Sequence, residues 1–302
     1  MATTESINDQ SLSAPLRRRE MASDARYRLQ RTLRGIVSQF ALIALSAIFI
    51  IPFAWLVSTS FKPESQIFVF PPIWIPRPPT VTHYIDGVNF LPFGTYLLNT
   101  IEIAVISVIG TVLSCSLVAY GLSRIDWKGR NTLFAMLLAT LMIPFQVTMI
   151  PLFIIMKNLG WIDTYLPLVV PNFLAPAFFV FMLRQFFMAI PRDLTDAAKI
   201  DGASEFGCYW RIIMPLSKPA LATVALFTFI NAWGEFLRPL IYLSTEDKYT
   251  LAIGLARFRD QYGSYWGQMM AVATLMTVPI IVLFFFTQRT FIQGITLSGI
   301  KG

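Results

Sequence analysis

Glu235 and Arg238 stand three residues apart in a stretch that is otherwise largely apolar from Ala220 to Leu243, with Asn231 and Trp233 close by. Ionisable groups at membrane depth usually face a protein interior or a wet cavity. On a continuous helix the two would share a face and could pair. Two readings follow: a structural ion pair near the outer boundary, or the polar wall of a solute path lined by Asn231, Trp233, Glu235 and Arg238, with rings to stack and polar groups to take hydroxyls. Glu235, with Glu102, would also suit an ion-coupled secondary transporter. Other chemistries lack their residues. No Gly-x-x-x-x-Gly-Lys-Ser/Thr pattern occurs, so the chain should not hydrolyse ATP. His83 is the single histidine, which builds neither a metal cluster nor a catalytic triad. Cys115 and Cys208 have no motif spacing, which argues against a disulfide or zinc site. A membrane enzyme is disfavoured because no paired carboxylates or His cluster fall at one depth.

The surrounding elements follow from composition. With 55% hydrophobic and 14% charged residues in 302, and a formal charge of +7, the chain is too apolar for an ordinary soluble domain. About 20 apolar residues cross a bilayer. Charge-free gaps of that order lie between Arg34 and Lys62, Glu102 and Arg124, Arg130 and Lys157, Asp163 and Arg184, and Asp260 and Arg289. A further span starts near Lys218 and runs toward Leu243, which makes six and an all-α integral membrane protein. Basic residues are retained on the cytoplasmic side. An inside amino terminus puts 17 Lys and Arg inside against six outside, so both termini are expected in the cytosol. The positive charge sits at membrane edges rather than on one soluble face, which favours lipid over nucleic acid as a contact.

Residues 1–35 form a basic amino-terminal tail: polar and disordered to about residue 14, then either an interfacial helix over Pro15–Gly35 or a solvated leader fixing topology. The first span covers 36–61 and should stay as an anchor. Residues 62–95 form an external loop with seven prolines, which cannot be one helix. Its aromatic residues Phe68, Phe70, Trp74, Tyr84 and Phe90 either pack on the outer membrane boundary or dock an external partner. Residues 96–292 hold the other five helices. Pro171 and Pro176 should kink or unwind the fourth span, either to line a cavity or to fit neighbours. The aromatic and basic segment Ser244–Gln268 reads as a half-buried helix over the outer mouth or an exposed loop. Residues 293–302 form a cytosolic carboxy-terminal tail.

A polar segment, 191–215, interrupts the apolar pattern on the side where charge counting places the cytosol. Asp193 or Thr195 would cap a helix there. Asp196 in its first turn would complement the helix dipole. Ala197 and Ala198 would let another surface approach closely. Gly202 would stop the helix. A second helix would run from Ser204 to Ile213 before Pro215 ends it. The product is a short helical knob with no membrane role, and hence one that suits a partner.

Asp196-Ala197-Ala198, Gly202 and the Ile212-Ile213-Met214-Pro215 end resemble the cytoplasmic EAA loop of ABC importer permeases. With Phe181 to Phe187, Leu216 to Leu221, Ala119 to Arg124, Leu141 to Val147 and Gln293 to Gly302, the chain from about Phe93 onward is similar to MalG-like sugar ABC importer permeases. Asp196 stands where Glu is usual and Met214 where Leu is usual, keeping charge or volume. The resemblance implies a type I ABC importer permease fold. It implies a coupling loop of Asp196, Ala197, Ala198, Asp201, Gly202, Ala203 and Pro215 seated on a separate ATPase dimer that holds ATP and Mg. It also implies a tail contact through Gln293, Gly294 and Lys301, a homologous second permease, an external solute-binding protein, and a place in the cytoplasmic membrane of a bacterium or archaeon. The solute class it implies is carbohydrate.

Overall fold

The computed structural model describes residues 10–260 and 263–299. They fall into two units, one ending at Ser58 and one starting at Thr59. In the first unit helix α1 (Gln10–Ser60) is already continuous from Gln10, so residues 10–14, expected in a disordered tail, are helical. From Gln30 its mean hydropathy reaches 2.5, and Phe40 and Phe49 stand on an apolar surface suited to lipid.

The second unit is built around α3 (Phe93–Ser123), preceded by a short helix α2 (Thr82–Phe90) in the Pro-rich stretch. Lipid offers no partner for backbone amides, so an apolar run of this length must satisfy them along its own helix. Thr100, Ala104, Ser107, Thr111, Cys115 and Ala119 recur on one buried face. Such small residues let neighbouring helices approach closely. At Gly110 an added Cβ would come within 2.5 Å of the Phe173 ring, so the glycine is what admits that ring. Against α3 pack α6 (Ala177–Ala189) and α9 (Lys218–Gly234), and α9 in turn meets α12 (Trp266–Gly299).

Among the described residues four helices are long and apolar enough to cross a membrane: Gln30–Ser60, Phe93–Ser123, Leu166–Ala189 and Trp266–Gln288. Two bent pairs bring the number to six. The third expected span is not one helix but α4 (Arg130–Thr140) and α5 (Phe145–Asn158), bent by 97°. Pro144 is the physical reason, since proline pushes the residue before it out of helical backbone angles. The fourth span breaks as its prolines require. It unwinds into a 3-10 turn over Val170–Leu174, and Ala175 takes a left-handed φ of 55° before α6 restarts after Pro176.

The fifth span is shorter than expected. Its helix ends at Gly234, Glu235 is extended with ψ 120°, and α10 (Leu237–Tyr242) begins anew. Glu235 and Arg238 therefore do not share one helix face; they pair across a break. The segment after it is a half-buried helix only in part. Helix α11 (Leu251–Ala256) is short, with Leu251 and Ile253 buried, and Arg259 and Asp260 pair antiparallel with Ser264 and Gly263. Asp163 stitches the turns together. Its carboxylate accepts from the Ser244 and Thr245 amides, both at 2.9 Å, and meets Lys248 at 2.8 Å.

Candidate coupling segment and inner cavity

Helix α7 (Asp193–Ile200) starts without a side-chain cap, contrary to the expectation for Asp193 or Thr195. The Thr195 hydroxyl donates instead to the Arg192 carbonyl at 2.8 Å, and Asp193 lies in the first turn with Asp196. The helix closes as Gly202 dictates. With φ at 86°, its amide reaches the Lys199 carbonyl at 3.0 Å and the Ala203 amide reaches Ala198 at 2.9 Å, the paired bonds of a Schellman end. Nothing crowds an added Cβ there, so backbone conformation alone selects glycine.

Ser204 caps α8 (Glu205–Leu216) by accepting the Gly207 amide at 3.1 Å. Pro215 does not end this helix but sits inside its last turn. A π turn over Tyr209–Ile213 makes this possible, widening the backbone where the ring would otherwise meet the preceding turn. Helix α8 then meets α9 at 77°.

Two tyrosines fasten this segment to the transmembrane core. Tyr120, at the end of α3, donates to the Glu205 carboxylate at 2.8 Å, and Tyr209 shares a 2.8 Å bond with Ser116. Their rings meet edge to face at 5.4 Å inside a cluster with Leu183, Phe187, Ile213 and Val224. Lys199 pairs with Glu205 at 2.5 Å and holds its carboxyl below the usual carboxylate range, with the Tyr120 bond adding to that. Arg192, the main cause, similarly lowers the Asp126 carboxyl from the neighbouring turn. Arg184 donates to the Leu122 carbonyl at 3.0 Å and lies over the Phe134 ring. Sequence reasoning missed Ser116, Glu205 and Tyr209. Tyr120 was in view only within a similar stretch, and nothing in the spacing says that it reaches Glu205.

The outward face is different. Asp196, Ala197, Asp201 and Gly202 are exposed and Ala198 and Ala203 half-buried. Among them stand apolar side chains with no cover: Ile200 is 87% exposed, Phe206 66% and Trp210 54%. Gln293 and Gly294 continue α12 as helix rather than forming a tail, and Lys301 lies outside the described residues.

A cavity of about 270 Å³ lies among α3, the broken fourth span, α9 and α10. Asn231, Glu235 and Arg238 line it, together with Ser107, Asn172, Phe179, Thr228 and Thr250. Trp233 does not. It is buried away from the cavity, stacked on Phe229 at 5.3 Å and donating to the Met276 carbonyl. Arg238 clasps the Glu235 carboxylate at 2.8 and 3.0 Å, while the other carboxylate oxygen accepts the Arg238 amide and so caps α10. Pro171, Asn172 and Pro176 all face this space, so the proline break lines a cavity. Glu102 is exposed on α3 and takes no part in it.

Residues 112–297 match the family model for the binding-protein-dependent transport system inner membrane component. The chain belongs to this family. The arabinooligosaccharides transport system permease protein AraQ of Halalkalibacterium halodurans is 38% identical over 87% of this chain and 94% of its own length. The trehalose/maltose transport system permease protein MalG of Thermococcus litoralis is 33% identical over 90% and 99%. In three dimensions the chain is similar to one from a bacterial ABC transporter involved in the import of the acidic polysaccharide alginate. That likeness has a TM-score of 0.76 at 24% identity and covers 86% of this chain and 96% of that one. The chain is thus a multi-pass membrane protein with the fold of a type I ABC importer permease and serves as a permease subunit. The ion-coupled alternative finds no support: Glu235 is held by Arg238, and these relatives are permeases of another transport class.

Proposed function

We propose that this chain is one of two homologous permease subunits in an ATP-driven carbohydrate importer, and that it takes its power from a separate ATPase dimer seated on the 193–216 segment. ATP and Mg bind on that dimer, and an external solute-binding protein delivers the sugar. The observation that carries the reading is a helical knob whose outer face leaves Ile200, Phe206 and Trp210 uncovered while its inner face is bonded to the transmembrane core. Exposed large apolar side chains among polar ones mark a protein interface. Arg192, Asp196, Lys199 and Asp201 are exposed on the same segment. Both termini and the knob lie on the cytosolic side of the cytoplasmic membrane, in keeping with the excess of Lys and Arg on that side. Carbohydrate as the cargo is supported by the named solutes of the relatives.

Mechanically, movement of the ATPase acts on α7 and α8. The Tyr120 and Tyr209 bonds pass it to α3, and the short corner at Ser217 passes it to α9, whose far end lines the cavity. Alternating exposure of such a central cavity is the general logic of transporters built from rocking bundles. The test is retention of the ATPase on the purified complex, and ATP-driven uptake, for Asp196→Lys, Gly202→Trp and Ile200→Lys. Each is expected to weaken retention and uptake with membrane insertion intact. Unchanged retention and uptake in all three would sink the docking role.

A further inference from the structure

We infer that the cavity among α3, α9 and α10 is a subsite on this subunit for one uncharged, hydroxylated ring of the transported solute, held by Thr228 and Thr250. The inference rests on the carbohydrate reading above and assigns a contact that reading leaves open: this chain touches the cargo itself.

Thr228 and Thr250 are 4% and 2% exposed, both line the cavity, and neither hydroxyl has a hydrogen-bond partner among the described residues. A buried hydroxyl without a partner is costly, so such groups are normally satisfied. For a helical threonine the remedy is close at hand, since its hydroxyl can return to the carbonyl one turn back. Thr100, Thr223, Thr274, Thr277 and Thr287 all do so, at 2.7 to 2.9 Å. Thr228 does not, and its buried hydroxyl is left without a partner in a residue that lines the cavity. Thr111 is another buried helical threonine with an unpartnered hydroxyl among the described residues, and it does not line this space.

The rest of the wall sets the ligand class. Glu235 and Arg238 satisfy each other through three bonds, so the cavity offers no unmatched charge and selects an uncharged guest. The Phe179 ring, Ile103, Leu168 and three prolines give apolar surface for the C–H face of a ring. Sugar hydroxyls both donate and accept, as threonine hydroxyls do, so each pairing closes whichever way the protons point. At about 270 Å³ the space lies at the small end of ligand pockets, which run from about 300 Å³ upward. It therefore takes one ring and not a chain of them.

The importer assembled with its ATPase and binding protein in proteoliposomes, given labelled trehalose, maltose and arabinotriose as separate probes, tests this with Thr228→Val, Thr250→Val and the double variant. Valine keeps the shape and removes only the hydroxyl, so the melting temperature should hold or rise. For the probe that wild type carries, uptake at saturating binding protein should fall on the order of tenfold per hydroxyl, while ATP hydrolysis stays within about twofold. Uptake in the double variant within about twofold of wild type, at unchanged melting temperature, would overturn the subsite and leave a wetted void. Should the valine variants fail to assemble, Thr228→Cys and Thr250→Cys decide it, because Cys115 and Cys208 are buried and give little background labelling. Slower labelling by a methanethiosulfonate reagent in the presence of the transported probe supports the subsite, and equal labelling refutes it. A wild-type importer that carries none of the three probes fails the carbohydrate reading, and the subsite falls with it.

Discussion

Replacing Tyr120 with Phe isolates the bond that ties the coupling segment to α3. The ring and its packing against Tyr209 stay; only the hydroxyl that donates to the Glu205 carboxylate at 2.8 Å and its carbonyl at 3.1 Å is lost. A bond to a charged acceptor contributes ~1.5–3 kcal/mol when sheltered. Glu205 is 46% exposed and keeps Lys199 as a partner, so water recovers part of the loss. About 1 kcal/mol is the reasonable share after screening. Loosening of that size multiplies the local opening equilibrium by about five. Hydrogen exchange on peptides spanning 193–216 reads this directly, with a peptide from the fourth span, 177–189, as the unchanged reference. Crossing Tyr120→Phe with Glu205→Ala should give non-additive effects, because each removes the bond from the hydroxyl to the carboxylate. Exchange in 193–216 equal to wild type, or strictly additive effects, would show that the tyrosine does not hold the segment.

Other outcomes follow from single positions. At Gly202, φ of 86° disfavours any Cβ by about 1–2 kcal/mol, so Gly202→Ala should raise exchange at the Ala203 amide while Gly202→Asn, more tolerant of that conformation, raises it less. Ala175 takes the same region at φ 55°, so Ala175→Gly should relieve about 1 kcal/mol locally and raise the melting temperature of the complex. Lys248 first and Thr245 next hold the Asp163 carboxyl well below the ordinary carboxylate range. A lowered folded value means that the carboxylate supports the fold above its unfolded pKa of about 4 and stops doing so as pH falls through the folded value. Proteolysis within 243–248 should therefore be flat above about pH 5 and rise in acid, and Asp163→Asn should be cleaved faster near neutral pH, with its acid response lost. A wild-type profile with no acid rise would contradict that role.

What the sequence made legible is what depends on long-range averages. Length of apolar run and the proline pair in the fourth span read correctly, because a bilayer penalises every unpaired backbone group over some 20 residues and leaves few solutions. The Gly202 stop was equally readable, since one residue type answers one backbone geometry. The misreadings share a different cause. Helix caps at Asp193 or Thr195, an unbroken 130–157 helix and a fifth span reaching Leu243 each treat a segment by its own propensity. In the molecule, tertiary partners decide. Thr195 is buried, so its hydroxyl turns back to Arg192 instead of capping. Pro215 is tolerated because a π turn precedes it. Trp233 leaves the cavity because α12 offers a carbonyl to its indole.

The break at Glu235 carries the most consequence. A continuous helix would have hidden the Arg238 amide in its own ladder. Stopping at Gly234 frees that amide for the carboxylate, draws Arg238 onto the same group, and neutralises both charges where desolvation would otherwise be severe. The ion pair is thus structural in origin, and by closing on itself it leaves Thr228 and Thr250 as buried hydroxyls of the cavity wall with nothing to bind among the described residues.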